Sequence, residues 1–296
     1  MLPKIKYSNF LHSMMRKEAG IFLRGILMGI ADIIPGVSGG TIALIVGIYE
    51  RIVRAVNGIN VYLIKPLLRL NIRACIYNLK KVDFSFLIPL IAGIALSILS
   101  LSHLIHLLLK SFAPITYAFF SGLIFSSAVI ICNRIDRVNF YCLALLVGGV
   151  VFGSWVVGLT SLYLNHSLPV IFFSGSLAVC AMILPGISGS FILLILNQYE
   201  CMIDALHYIL LDRIISFIAG AILGVLSFVR ILEILLSRWR RETLSFLVGL
   251  MIGSLRLPIQ MVALNMEDPI FPILSGIAGA VIAVSMELFS NKLLRA

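Results

Sequence analysis

Six stretches of the chain are apolar for long enough to cross a bilayer. They run near residues 84–109, 112–132, 140–163, 214–236, 244–264 and 269–290, and a span needs about 20 apolar residues. Two further stretches are apolar but interrupted. Pro35-Gly36 divides residues 20–34 from 38–56, and Pro185-Gly186 divides residues 168–184 from 188–206. The leg 20–34 has 15 residues, so as a helix it reaches about 22 Å. That is short of a hydrocarbon core of about 30 Å. Short legs broken by Pro-Gly predict re-entrant hairpins, whose exposed backbone is tolerated only inside the protein or along a wet cavity.

The pattern is duplicated. Residues 31–55 align with 181–205 at an offset of 150, with 12 of 25 positions identical. Residues 91–110 align with 218–237 at an offset of 127, with 8 of 20 identical. The difference of 23 residues is a basic insertion in the first half, around 58–82. The expected fold is therefore an all-α polytopic membrane protein built as one membrane domain over residues 1–296. Repeat 1 covers about 18–165 and repeat 2 about 166–296. Each repeat is a re-entrant helical hairpin plus three transmembrane helices. Three is odd, so the second repeat enters the membrane upside down. Inverted repeats with broken helices are a transporter architecture, with the site at the repeat interface near the midplane.

Composition agrees. The chain is 60% hydrophobic and 12% charged, with mean hydropathy +1.09, whereas soluble domains are about a quarter charged. A soluble enzyme, a disordered chain and a disulfide scaffold are excluded. The five cysteines, Cys75, Cys132, Cys142, Cys180 and Cys201, are scattered without a CxxC pair and read as small packing residues. No cleaved signal peptide is expected, because the basic N-terminus has no long apolar core before residue 20. The net charge of +10 would suggest nucleic acid in a soluble protein. Here it sets orientation: with the N-terminus on one side, that side holds 18 of the 23 Lys and Arg, the other holds Lys110 and Arg213, and Arg24, Arg230 and Arg256 fall within apolar segments. The skew predicts both termini in the cytoplasm.

The sharpest chemical signal is Asp32-Ile33-Ile34-Pro35-Gly36-Val37-Ser38-Gly39-Gly40-Thr41 with its twin Pro185-Gly186-Ile187-Ser188-Gly189-Ser190. Proline ends the first leg, and the glycines allow a sharp turn and close backbone approach. Ser38 and Thr41, and Ser188 and Ser190, are placed to cap the following helix. The expected product is a bare helix N-terminus at membrane depth, which attracts anions. A tight hairpin packed against its twin also suits Gly and Ser.

Ionisable groups inside a membrane are expensive and are functional candidates. Arg230 and Glu233 are spaced to pair on one helix face. Arg256 has no acid within a helical turn and lies about 21 Å deep, so it needs a remote carboxylate or an anionic ligand, and the ligand is favoured. Arg24 is placed to snorkel to the cytoplasmic surface, and Glu287 sits near a membrane end. Asp32, beside the break, is the first choice for carrying a proton, since a carboxyl next to an anionic ligand takes one up more readily. It equally suits a hydrogen-bond staple. His103 and His106 have no evident third ligand, and no metal or cofactor is expected.

The stretch Gly29-Ile30-Ala31-Asp32-Ile33-Ile34-Pro35-Gly36-Val37-Ser38-Gly39-Gly40-Thr41, with Gly47-Ile48-Tyr49 downstream, resembles the bacterial and archaeal family of PopT-type polyprenyl-phosphate transporters. Leu184-Pro185-Gly186-Ile187-Ser188-Gly189-Ser190-Phe191 and Gly249-Leu250-Met251-Ile252-Gly253-Ser254 are similar to its second repeat. The one departure is Asn197, where that family's pattern has Gly. The resemblance implies a flippase that returns undecaprenyl phosphate from the outer to the inner leaflet of the cytoplasmic membrane, for reuse in peptidoglycan and other envelope polymers. Its partners are then the polyprenyl phosphate lipid and the bilayer, with no nucleic acid. The oligomeric state is not legible. The headgroup site it implies comprises Gly36, Ser38, Gly39, Gly40, Thr41, Gly186, Ser188, Gly189, Ser190 and Arg256. Asp32, Arg24, Arg230 and Glu233 are accessory charges. Two rival readings stand beside it. One is a transporter of a small soluble anion. The other is an undecaprenyl-diphosphate phosphatase, an enzyme whose Pro-Gly-x-Ser-Arg-Ser motif this chain lacks, with Gly39 and Gly189 at the Arg position.

Overall fold

A computed structural model describes residues 3–34, 37–59, 62, 71–79, 81–159, 162, 164–265 and 268–295. It is 84% helical, with no strand among the described residues. The first half contains α1 (Pro3–Ile33), α2 (Gly39–Ile45), α3 (Tyr49–Ile59), α4 (Ile72–Leu79), α5 (Phe84–Ser111), α6 (Ala113–Asn133) and α7 (Phe140–Val157). The second contains α8 (Leu168–Ile183), α9 (Gly189–Ile195), α10 (Tyr199–His207), α11 (Leu211–Arg238), α12 (Arg240–Ser254), α13 (Arg256–Asn265) and α14 (Ile270–Arg295). Among the described residues, six candidate spans are long and apolar enough to cross a membrane: α5, α6, α7, α11, Arg240–Leu264 and Ile270–Leu288. They fall where the hydrophobic pattern predicts them. The chain is a multi-pass membrane protein.

Boundaries depart from expectation in three places. The first leg is longer than residues 20–34, because α1 begins at Pro3. No Pro or Gly lies between Pro3 and Gly20 to stop it, and a polar helix leaves no trace in an apolar pattern. α7 ends at Val157 rather than near 163, and the chain then turns so that the Leu162 N–H donates to the Ile195 carbonyl at 2.6 Å. That bond satisfies one of the end carbonyls α9 would otherwise leave open. Finally, the second legs 38–56 and 188–206 are not single helices. Each is a seven-residue helix, α2 or α9, then a tight turn, then α3 or α10. Gly47 at φ +71° makes the first turn and Asn197 at φ +56° the second. Ile48 N–H to Ala43 O at 2.9 Å and Gln198 N–H to Leu193 O at 2.8 Å close them, the bond of a Schellman motif. Asn tolerates left-handed backbone nearly as Gly does, so the departure at Asn197 leaves the turn unchanged.

Helices pair in two matching sets. α1 lies along α5 and α8 along α11, while α6 lies along α14 and α7 along α12. The contacts correspond residue by residue. Gly93 meets the Phe22 carbonyl and Gly220 meets the Phe172 carbonyl; Gly25 meets the Leu90 carbonyl and Gly175 the Phe217 carbonyl. Phe22 and Phe172 differ by 150 and Gly93 and Gly220 by 127, the two offsets of the duplication. Small residues let these backbones touch, which is how helices associate when lipid offers no hydrophobic drive between them. Outward faces stay apolar: Ile88, Ile91 and Leu99 on α5 and Ile215, Ile218 and Ile222 on α11 are exposed.

Candidate functional site

The first motif closes on itself. Ser38 is the N-cap of α2 in extended backbone, and its Oγ accepts the Gly40 N–H at 3.1 Å. Asp32, in the last turn of α1, folds back so that its Oδ1 accepts the Gly39 N–H at 2.7 Å. The Thr41 N–H donates to the Ser38 carbonyl at 2.9 Å. All three leading N–H groups of α2 are therefore engaged, and the bare N-terminus expected from sequence is absent here. The cause is Asp32, an anion supplied by the chain itself. Gly39 is required beside it, since a Cβ there would stand 2.7 Å from the carboxylate.

The second motif is open. Ser188 caps nothing; its Oγ lies 2.7 Å from Ser190 Oγ. The residue at Asp32's equivalent position is Met182, which brings no anion. Among the described residues no acceptor reaches the N–H groups of Gly189, Ser190 and Phe191.

The two motifs meet. The Gly186 N–H donates to Thr41 Oγ1 at 3.0 Å, and Ser38 Oγ donates to the Leu184 carbonyl at 3.1 Å. A Cβ on Gly40 would lie 2.8 Å from the Ile183 carbonyl, so the backbones are in contact. Ser38, Thr41 and Ser188 are buried. α12 packs against this junction: a Cβ on Gly186 would lie 2.7 Å from Ser254 Oγ. Gly36 lies outside the described residues.

The charges arrange themselves differently from their spacing. Arg230 and Glu233 do not pair. Glu233 accepts from the Asn57 amide of α3, and Arg230 is exposed without a described partner. Spacing allows a local pair, but α3 packs against this face of α11 and offers a donor from the other half of the chain. Arg256, the first residue of α13, donates Nη1 to the Ser154 carbonyl at 3.0 Å, at the C-terminal end of α7. Among the described residues it makes no hydrogen bond to either motif, though it follows Ser254 by two residues. Arg24 is half-buried, within Coulombic reach of Arg51. Glu287 pairs with Arg134 at 2.9 Å. Thr41's contact with Gly186 and Asn57's with Glu233 were invisible in sequence, since each joins residues about 150 apart or more and neither is ionic at both ends.

Over residues 28–269 the chain matches the family described as undecaprenyl phosphate translocase-like. It belongs to that family. A polyprenyl-phosphate transporter of Vibrio cholerae is 40% identical, over 79% of this chain and 75% of the relative. A polyprenyl-phosphate transporter of Staphylococcus aureus is 29% identical, over 79% of this chain and 83% of the relative. No solved structure matches.

This translocase-family chain also carries two apolar grooves facing outward. One, of about 680 Å³, is lined by Tyr141, Leu145, Leu235, Trp239 and Phe246, near the start of α7. The other, of about 370 Å³, is lined by Ala118, Phe125, Leu255, Val262 and Pro272, near the start of α14. Leu145 and Pro272 are 127 apart, but they are the one equivalent pair in the two linings: the first groove runs beside the end of α11 and the second beside α13.

Proposed function

We propose that this protein carries polyprenyl phosphate from the outer to the inner leaflet of the cytoplasmic membrane, with the phosphate held where the two Pro-Gly motifs meet. The observation that carries the reading is the stitched junction of Ser38 and Thr41 with Leu184 and Gly186. Two halves of one chain that converge on hydroxyls and glycine backbone form a polar point in an apolar body. The matched offsets of the helix contacts support inverted repeats, and the charge skew supports both termini in the cytoplasm. The Pro-Gly hairpins are re-entrant in this reading, and their irregular backbone is sheltered by the twin.

The headgroup is bound by the Ser188 and Ser190 hydroxyls and the Gly189 and Ser190 N–H groups, with Gly36, Ser38, Gly39, Gly40, Thr41 and Gly186 shaping the opposite wall. Asp32 stands where a second phosphate oxygen would bind Gly39. Full seating of the phosphate therefore displaces or neutralises that carboxylate. Arg256 turns from the Ser154 carbonyl to the headgroup as it arrives, and Arg24, Arg230 and Glu233 set the field on the cytoplasmic side. The prenyl tail stays in lipid and lies along the outward grooves.

Inward movement works against the membrane potential. It costs about 2.3 kcal/mol per charge per 100 mV, and a phosphate monoester carries between one and two charges. A proton on Asp32 removes one of them from the moving assembly. Catalysis is not part of the reading: Gly39 and Gly189 stand where the phosphatase motif has Arg, the group that would clamp a transferring phosphoryl. Three assays on proteoliposomes separate the possibilities. The reading predicts leaflet transfer of polyprenyl phosphate, no phosphate release from the diphosphate lipid, and no uptake of soluble phosphate. Phosphate release or soluble uptake without lipid transfer overturns it.

A further inference from the structure

The basic insertion of the first half has no counterpart in the second, and its described residues Gly58, Tyr62 and Lys81 share a cavity with α3 and Asp83. The cavity, of about 310 Å³, is lined by Arg51, Arg54, Tyr62, Lys81 and Asp83, with Ala55 and Gly58. Its charges are unequal. Arg51 is fixed: Nε and Nη2 both donate to Asp83 Oδ2, at 3.0 and 2.8 Å, and the guanidinium stacks 4.3 Å from the Phe86 ring centroid. Arg54 and Lys81 have no carboxylate partner among the described residues. The Lys81 ammonium is held instead over rings, 5.3 Å from Tyr77 and 5.8 Å from Tyr62. Arg54 also borders a smaller cavity with Glu50 and Glu233, but Arg240 already donates to Glu50 at 2.7 Å and Asn57 to Glu233. Arg24 adds a further positive charge within reach of Arg51. Two cations that form no ion pair among the described residues thus face one cavity large enough for a phosphate group.

We infer that this cavity is a second phosphate site, which receives the monoester headgroup of a polyprenyl phosphate in the cytoplasmic leaflet. The inference rests on the proposed orientation, which puts residues 51–83 on the cytoplasmic side. Basic pockets beside membrane helices on that side hold anionic lipid headgroups. A monoester with between one and two negative charges matches two free cations better than a phosphodiester with one. The site gives the headgroup a cationic resting place on leaving the central junction, and it slows the outward return that the membrane potential favours.

The test is native mass spectrometry of the full chain in detergent, titrated with farnesyl phosphate, with farnesol, phosphatidylglycerol and inorganic phosphate as competitors. Wild type takes up two farnesyl phosphates. Arg54→Gln/Lys81→Gln takes up one, with affinity at the lost site reduced about tenfold or more, as expected when charge-assisted bonds go. Arg54→Lys/Lys81→Arg takes up two. None of the three competitors displaces the cavity's ligand at equal concentration. The inference is overturned if the Gln pair still binds two, or if inorganic phosphate or phosphatidylglycerol displaces farnesyl phosphate equally. Ser188→Ala/Ser190→Ala separates the two readings, because it removes the central site and leaves this one. A wild type that binds one ligand, lost in the Gln pair and kept in the Ser variant, defeats the central-site reading and upholds this one. A wild type that binds one ligand, still bound in the Gln pair, defeats this inference.

Discussion

Thr41, together with Ser38, joins the two halves of the chain at their polar centre. Its buried hydroxyl is the acceptor for the Gly186 N–H. Thr41→Val keeps the shape and removes the acceptor, so a buried donor is stranded at a cost of about 1–3 kcal/mol. Thermal unfolding in detergent should show the loss for Val and little change for Ser. Glycines give a paired contrast. A Cβ on Gly40 meets a backbone carbonyl 2.8 Å away, which has no room to yield, whereas one on Gly20 meets nothing within 4 Å. Gly40→Ala should therefore destabilise by about 1–3 kcal/mol, and Gly20→Ala, in the middle of α1, should stabilise by about 0.5–1 kcal/mol. The types of residue needed at the site were legible in the sequence; their partners were not. Asp32 reads equally well as proton carrier or staple until the turn after α1 brings it to the Gly39 N–H.

At the scale of elements, hydrophobic runs located all six spans, because each is a continuous apolar stretch with a polar end. They missed the bends at Gly47 and Asn197, since a one-residue left-handed turn leaves the apolar pattern intact. The bend carries its own prediction. Gly47 has φ +71° and open space around it, and its counterpart is already Asn. Gly47→Asn should fold and melt like wild type. Gly47→Val, a branched residue in left-handed backbone, should cost about 1–2 kcal/mol. Equal melting temperatures for the two would mean that the turn does not constrain α2 against α3. The Arg230–Glu233 spacing misled for a related reason: an i,i+3 pair is a local possibility, and α3 arriving from the other half supplies a donor that the local sequence does not contain.

The duplication was the most legible feature of the whole molecule. Two offsets written in the sequence recur as the same helix pairs and the same glycine contacts. The asymmetry between the halves was not legible as chemistry: Asp32 opposite Met182 is one substitution in an alignment, yet it closes one motif and leaves the other open. Orientation has a direct check. Asp136→Cys, between α6 and α7, should react with a membrane-impermeant maleimide only from the cytoplasmic side, and Leu164→Cys, between α7 and α8, only from outside. A reversed pattern would turn the proposed direction of transport around. The central claim is that the headgroup crosses through the junction of the two motifs. Proteoliposomes bearing polyprenyl phosphate in the outer leaflet, with an external phosphatase reporting what remains accessible, test it most directly. Wild type should withdraw the lipid from the phosphatase with time, and Ser188→Ala/Ser190→Ala, folded by melting temperature, should leave it as accessible as in protein-free vesicles. A double variant that withdraws the lipid at the wild-type rate would contradict the account.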